Sequence, residues 1–468
     1  MESTADVPSV DTEIRRECYS RRRFLRLAGL GLVAVPLFAA CAPAPAGPTR
    51  AEAPAPATDV KSQQAPAKIV LSGELKVIQW GHFVPGYDVW FDNFAADWGA
   101  RNNVRVTVDH VGIDQISARS VSEAQSRSGH DIFGFFHQGG PSLYDDLLVD
   151  LSDIVEDLGR KYGGWSAAAE TLGRPYGKWK AVPDFVDAQL SCYRKDLLEA
   201  VGLSRSPDTW DELLKYGELA KAKGSPIGIA LTNCSDAEAT WRAVLWCFGG
   251  KEVEQDGKTI ALDSKETRAA LEYSRTLYEK AMTSEVLSWD DASNNRYLAS
   301  GKGSWIYNPI SVYRTIEKQD PELFKNIYIG LPLAGPAGRF VAAQFTLYGV
   351  WNFSRAQDAA KEFLRAYKLS WPDNFKASEG FNMPFENDLL KPPMPVLGDD
   401  PKLKGIQEAP KYMQTPGFPG PNTVAASEVL DTHVISDLFS RVATGQQSAD
   451  QSIAEAVRAM TQIYGKRR

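Results

Sequence analysis

Aromatic rings set beside short polar side chains are the groups in this chain best suited to chemistry. The sequence holds 12 Trp, 17 Tyr and 20 Phe, many next to Gly, Pro, Asn or Asp. Trp80, His82, Phe83 and Tyr87 crowd one stretch, and Phe135, Phe136 and His137 another. Flat rings match the apolar C–H face of a polyhydroxylated ring. Asp, Asn, His and Arg match its hydroxyl rim through hydrogen bonds worth roughly 1 kcal/mol net each. This is chemistry for holding a molecule. Chemistry for breaking one is sparse. Paired acids occur at Asp145-Asp146 and Asp290-Asp291. A retaining glycosidase needs two carboxyls about 5 Å apart, whereas chain neighbours usually point in different directions. The sequence contains no Gly-x-Ser-x-Gly elbow, Walker loop or His-Glu-x-x-His. No catalytic residue is therefore assigned. His82, His110, His130, His137 and His433, with Cys192, Cys234 and Cys247, lack metal-ligand spacing, so neither metal nor cofactor is expected.

The elements that must position these groups follow from periodicity. Leu75–Trp80 reads as a strand, Val89–Trp98 as a helix with Trp90, Phe94 and Trp98 on one face, and Val104–Val108 as an alternating strand. A polar helix, Gln115–Arg127, leads to a short buried strand, His130–Phe136. Strand, helix, strand, helix, strand predicts a mainly parallel sheet flanked by helices. Such sheets bind ligands at the carboxyl ends of their strands, here the loops 81–88 and 137–142. Further strands are expected at 188–193, 227–231, 304–307, 327–331 and 345–353. Helices are expected after Thr209, after Asp263 and Glu266, after Ser354, and at 436–442 and 450–464.

The N-terminal region reads as an address. Ser20-Arg21-Arg22-Arg23-Phe24-Leu25-Arg26 precedes an apolar run, Leu27 to Ala40, ending at Cys41. The run is short for a membrane span of about 20 residues. Residues 1–40 fit a twin-arginine, lipoprotein-type signal peptide with Cys41 as the lipidation site, although Phe38 stands where a lipobox usually has Leu, Val or Ile. Residues 41–67, rich in Ala and Pro, read as a disordered tether. Roughly 400 residues remain, enough for two domains or one large one. The net charge of −7 and the lack of a basic stripe argue against nucleic acid as a partner.

The element order and three motifs together resemble the extracellular solute-binding proteins of ABC importers, family 1, which includes maltose-binding protein. The first motif is Gly177-Lys178-Trp179-Lys180-Ala181-Val182-Pro183, followed by Tyr193-Arg194-Lys195-Asp196-Leu197-Leu198 and Pro207-Asp208-Thr209-Trp210-Asp211-Glu212-Leu213. The second is Ser300-Gly301-Lys302-Gly303-Ser304-Trp305. The third is Gly349-Val350-Trp351-Asn352-Phe353-Ser354 with Ala359-Ala360-Lys361-Glu362-Phe363-Leu364. The resemblance covers about residues 70 to 468. It implies a type II, two-lobed periplasmic-binding α/β fold, each lobe a mainly parallel sheet flanked by helices, joined by hinge strands. On this reading residues 70–183 plus 304–344 form the N-terminal lobe, and 186–303 plus 346–468 the C-terminal lobe. It also implies a monomer, lipid-anchored outside the cytoplasm, that hands a solute to membrane permease subunits.

Between the lobes, the expected ligand contacts are Trp80, His82, Tyr87, Phe135, His137, Asp184, Trp241, Tyr307, Asn308, Phe345 and Tyr348. Trp80 and Trp241 can equally be core rings, and only one of Phe135 and Phe136 can face the core. Trp289, Asp290 and Asp291 form a polar-aromatic turn that reads as a surface loop or a site. The aromatic, amide-rich loops point to a sugar or polyol. A polyamine, which asks for several carboxylates with aromatic walls, an anion, which asks for Arg or helix N-termini, and a metal chelate remain alternatives, as does a secreted carbohydrate-active enzyme.

Overall fold

The computed structural model describes residues 71–466, apart from 137, 138, 392, 393, 395 and 399. The signal segment, Cys41, the tether and His137 lie outside the described residues. No described helix is long and apolar enough to cross a membrane.

The first five elements fall where periodicity puts them: β1 (Gly73–Trp80), α1 (Pro85–Asn102), β2 (Val104–Val111), α2 (Ile113–Ser126) and β3 (Ile132–Phe136). β1 lies between β2 and β3 and is parallel to both. Pro85 starts α1 with its φ already suited to a helix, and Asn103 ends it in the left-handed region at φ 55°. The buried face of α1 is Tyr87, Phe91, Ala95 and Trp98, not the expected Trp90–Phe94–Trp98 stripe. Trp90 and Phe94 sit partly buried on its flank.

The remaining strands are β4 (Ala181–Ala188), β5 (Leu190–Arg194), β6 (Ile227–Gly228), β7 (Trp305–Asn308), β8 (Ile327–Gly330), a small hairpin of β9 (Ala334–Gly335) and β10 (Gly338–Arg339), then β11 (Val341–Val350), β12 (Met383–Pro384) and β13 (Met413–Gln414). One sheet runs β12-β4-β11-β3-β1-β2, with β13 on β11, and a second runs β6-β7-β5-β8. The parallel character expected of both sheets holds for β1, β2 and β3, for β6 with β7 and for β11 with β13. β11 is antiparallel to β3 and to β4, and β5 is antiparallel to β7 and to β8. The strand–helix–strand pattern dictates direction only within consecutive units. Strands that return after a long excursion are free to pair the other way.

The pairings also move the expected crossing points. β4 stays in the first sheet through Ala188 and β5 enters the second at Leu190, so the chain changes sheet at Gln189, not near 183–186. β7 and β8, expected in the N-terminal lobe, both pair with β5. The register of Leu190–Tyr193 against Trp305–Asn308, with Tyr307 packed on Trp210, fixes that placement. The chain rejoins the first sheet at Val341, earlier than the expected 344–346. The helix Gln357–Leu369, expected in the C-terminal lobe, packs Phe363 and Tyr367 against Phe91 of α1.

Local signals also settle two ends. Thr209 caps the helix Trp210–Ala222 by accepting the Glu212 N–H, as expected. The cap expected at Asp263 and Glu266 is supplied by Ser264, which accepts the Thr267 N–H.

Candidate functional site

The carboxyl ends of β1, β2 and β3 open onto a cavity of about 600 Å³. Gly81 and Phe83 follow β1, Gly112, Ile113 and Asp114 follow β2, and Phe136 ends β3; all line it. The opposite wall comes from elements around the second sheet. Asn233, Cys234, Ser235 and Glu238 are presented by the start of the helix Ser235–Cys247, and Trp289, Asp290 and Asp291 by a turn. Asp431 and His433 sit where the helix Val424–Asp431 gives way to Val434–Ala443. His433 makes that junction in the left-handed region, φ 57°, a conformation uncommon for a residue with a side chain. Below lies a narrower void that shares Phe83, Ile113, Phe136, Ser235 and Asp291 and adds Asp187, Asp236, Gln344 and Phe381.

A hydrogen-bonded network braces this floor. Asp291 Oδ1 accepts the Asp236 N–H at 2.8 Å, and Gln189 Nε2 donates to Asp236 Oδ1 at 2.9 Å. Gln189 is the residue at which the chain changes sheet, so the crossing is tied directly to the floor. Asn294 donates to Asp236 Oδ2 and to Asn308 Oδ1, and Asn308 donates to Asn295 Oδ1 at 2.6 Å. Behind the wall, Glu238 and Glu252 flank the fully buried guanidinium of Arg242.

The site is strongly acidic, and burial sets the protonation of its carboxyls. Burial and the nearby Asp291 push Asp236 up to about 8. Burial and Glu238 push Asp431 up to about 7. Asp187 is raised by burial and by Asp236. A carboxyl whose folded pKa is raised stabilises the fold below its unfolded value, and that stability is lost as pH rises through the folded value. His82, lowered by burial to about 4, acts in the opposite sense but only below its ordinary value of 6.5. The melting temperature of the unliganded protein is therefore expected to fall between pH 6.5 and 8, each such carboxyl contributing up to about 1.4 kcal/mol per pH unit. Asp236→Asn should flatten the profile. Calorimetry showing a level or rising melting temperature over that window would contradict these assignments.

None of the expected contacts that are described lines the cavity. Trp80 is a core ring, stacked on His82 and leaning on Phe136. His82 is buried: its Nδ1 accepts the Val84 N–H, leaving Nε2 to donate to Asn382 Oδ1 at 3.0 Å. Tyr87 and Tyr367 share a hydroxyl–hydroxyl bond of 2.6 Å. Phe135 packs on Phe133, while its neighbour Phe136 faces the cavity. Asp184 is the extra residue of a bulge in β4, because Thr346 pairs with Phe185 and Leu347 with Pro183. The bulge turns its carboxylate to the Tyr367 hydroxyl, 2.8 Å away, and Asp187 takes the place expected of it at the cavity floor. Trp241 donates to the Ala230 carbonyl and stacks on Phe439. Tyr307 stacks on Trp305, Asn308 belongs to the bracing network, Phe345 is buried, and Tyr348 donates to Gln79 Oε1. Asp114, Glu238 and Asp431 line the cavity and Asp187 the void beneath it, and none of them is among the expected contacts. Phe83 and Phe136 carry a signal, since each sits at a strand's carboxyl end beside an expected contact.

Among the described residues, no group of three or more His, Cys, Asp or Glu side chains could hold a metal ion. Cys192, Cys234 and Cys247 are buried free thiols. The arrangement is a walled, acidic, partly aromatic receptacle.

The family model of bacterial extracellular solute-binding proteins matches residues 90–377. This chain belongs to that family. Among relatives of this solute-binding protein, a "Probable ABC transporter-binding protein" of Deinococcus radiodurans is 25% identical over 165 residues, 34% of this chain and 39% of the relative. A binding protein of Brucella abortus is 25% identical over 210 residues, 43% of this chain and 49% of the relative. The solute-binding protein thus matches these curated relatives over less than half of their length. A maltose-bound T. maritima protein superposes with a TM-score of 0.72 at 19% identity, over 84% of this chain and 100% of that one. A sugar transporter from Arthrobacter chlorophenolicus, with bound laminaribiose, gives 0.73 at 15% identity, over 83% and 98%. At these identities the likeness establishes the fold, the two-lobed α/β arrangement of periplasmic binding proteins.

Proposed function

We propose that this chain captures a sugar or polyol in the cleft between its two sheets and delivers it, chemically unchanged, to the membrane subunits of an ABC importer. It works outside the cytoplasm as a monomer, held at the membrane by a lipid on Cys41. One lobe is built on the β1-containing sheet and the other on the β5-containing sheet. Gln189 and the chain between β8 and β11 serve as hinges. Contacts from both lobes exist together only when the lobes close, so a solute that makes them shifts the population towards closure. The single observation that carries this reading is the cleft itself: about 600 Å³ at the strand ends of an open α/β sheet, walled by Phe83, Phe136 and Trp289 and rimmed by hydrogen-bonding side chains. Family membership and the sugar-bound state of the structural neighbours support it.

A thermal-shift screen of the full-length chain against mono- and oligosaccharides, polyols, polyamines and phosphorylated polyols tests it. Solute at 100 times its dissociation constant adds about 2.7 kcal/mol of stability. A clear upward shift with at least one carbohydrate or polyol is expected. Shifts confined to phosphorylated compounds or to linear amines would overturn the carbohydrate reading.

A further inference from the structure

We propose that the solute carries a protonated amine, anchored on Asp187 at the floor of the cleft; this rests on the cleft being the binding site. Asp187 is 3% exposed, and neither of its carboxylate oxygens has a hydrogen-bond partner among the described residues. It borders the narrow void that continues the cleft downward. An unpaired buried carboxylate is costly to a fold, and such groups are kept paired or are poised for a ligand. Asp184, three positions earlier on the same strand, shows the ordinary structural alternative, with Tyr367 donating to it.

The surroundings decide what partner Asp187 waits for. Its nearest titratable neighbours around the void are Asp236 and Asp291, both acids. Above them, Asp114, Glu238, Asp290 and Asp431 line the cleft, and no Lys or Arg does so among the described residues. Arg242 neutralises Glu238 from behind, and Arg296 pairs with Asp290 on the outside. Asp114 and Asp291 have no such basic partner among the described residues, and Asp431 shares Arg242 with Glu238. A sugar hydroxyl could supply Asp187 with a hydrogen bond but not the positive charge that would hold its carboxyl in the ionised form, which burial disfavours. An ammonium group supplies both, and concave walls focus a negative potential on it. Phe83, Phe136 and Trp289 offer ring faces that attract a cation further. The class that fits cavity, rings and acids together is an amino-substituted saccharide with a free amine.

The test is calorimetric titration of the full-length chain with a glucosamine disaccharide, its N-acetylated form, a neutral disaccharide and a linear polyamine. The free amine is expected to bind roughly 10- to 100-fold tighter than the acetylated form, the worth of one charge-assisted hydrogen bond. In Asp187→Asn that ratio should collapse towards one. Should the variant not fold, the wild-type ratio still decides. Equal or tighter binding of the acetylated or neutral sugar overturns the amine and leaves the carbohydrate reading standing. Binding of the polyamine alone supports the amine and overturns the carbohydrate. No binding by any of the four overturns both.

Discussion

Replacing Arg242 by methionine is expected to cost about 3–5 kcal/mol of stability, the price of stranding buried charge. The side chain is wholly buried on the helix that forms one wall of the cleft. Its Nε donates to Glu252 Oε1 at 2.8 Å, and its Nη2 lies 3.1 Å from Glu238 Oε1. Glu238 Oε2 in turn accepts the Ser436 N–H at 2.7 Å, which ties the first turn of Val434–Ala443 to the same cluster. Methionine fills similar space but leaves two acids facing each other without a base. Lysine should rescue only in part, because a single ammonium cannot serve both carboxylates in a fork. Urea melts give the measurement. A loss below about 1 kcal/mol would mean that the acids are neutral and the triad is not an ionic cluster.

Phe83 and His82 are adjacent in sequence, yet their alanine variants should fail in opposite ways. Phe83 lines the cleft and the void beneath it and is only half buried. Phe83→Ala should weaken solute binding roughly 10- to 100-fold through lost apolar contact, with little change in melting temperature. His82 is buried, bonded to Asn382 and Val84, and packed among Trp80, Tyr87 and Phe381. His82→Ala should leave Asn382 Oδ1 without its donor and open a cavity, costing about 2–4 kcal/mol while the cleft keeps its lining. Titration and melting of the two variants side by side check the pair. Loss of affinity in His82→Ala at unchanged stability would place the solute among those rings and not in the cleft.

These neighbours also show how far the sequence could be read. The alternation of Val104–Val108 and the strand–helix–strand order made the first sheet legible, and with it the rule that puts a ligand at its strand ends. The direction of β5, β7, β8 and β11 was not legible, because antiparallel return depends on contacts between residues far apart in the chain. Within the candidate site, the sequence points to strand-end loops that border the cavity, but mostly to residues in them that do not line it. His82 and Phe83 differ only in which way a turn aims them, and no composition signal records that. Asp184 illustrates the same limit: strand periodicity says little about a bulge, and the bulge decides that Asp187 borders the void. The acids Asp114, Glu238 and Asp431 come from three separate stretches of chain and become a cluster only when the fold assembles them. Aromatic content drew attention instead to rings that build the core, such as Trp241 and Tyr348, since large rings are used for packing far more widely than for recognition.

The measurement that bears most directly on the cleft is a crystal structure of the chain with the saccharide that gives the largest thermal shift. The ring should lie against Phe83, Phe136 and Trp289, with a nitrogen within about 3 Å of Asp187. A saccharide seated elsewhere, for instance in the open hollow beside Phe248, Lys251 and Ala337, with the Asp187 floor untouched, would contradict the account.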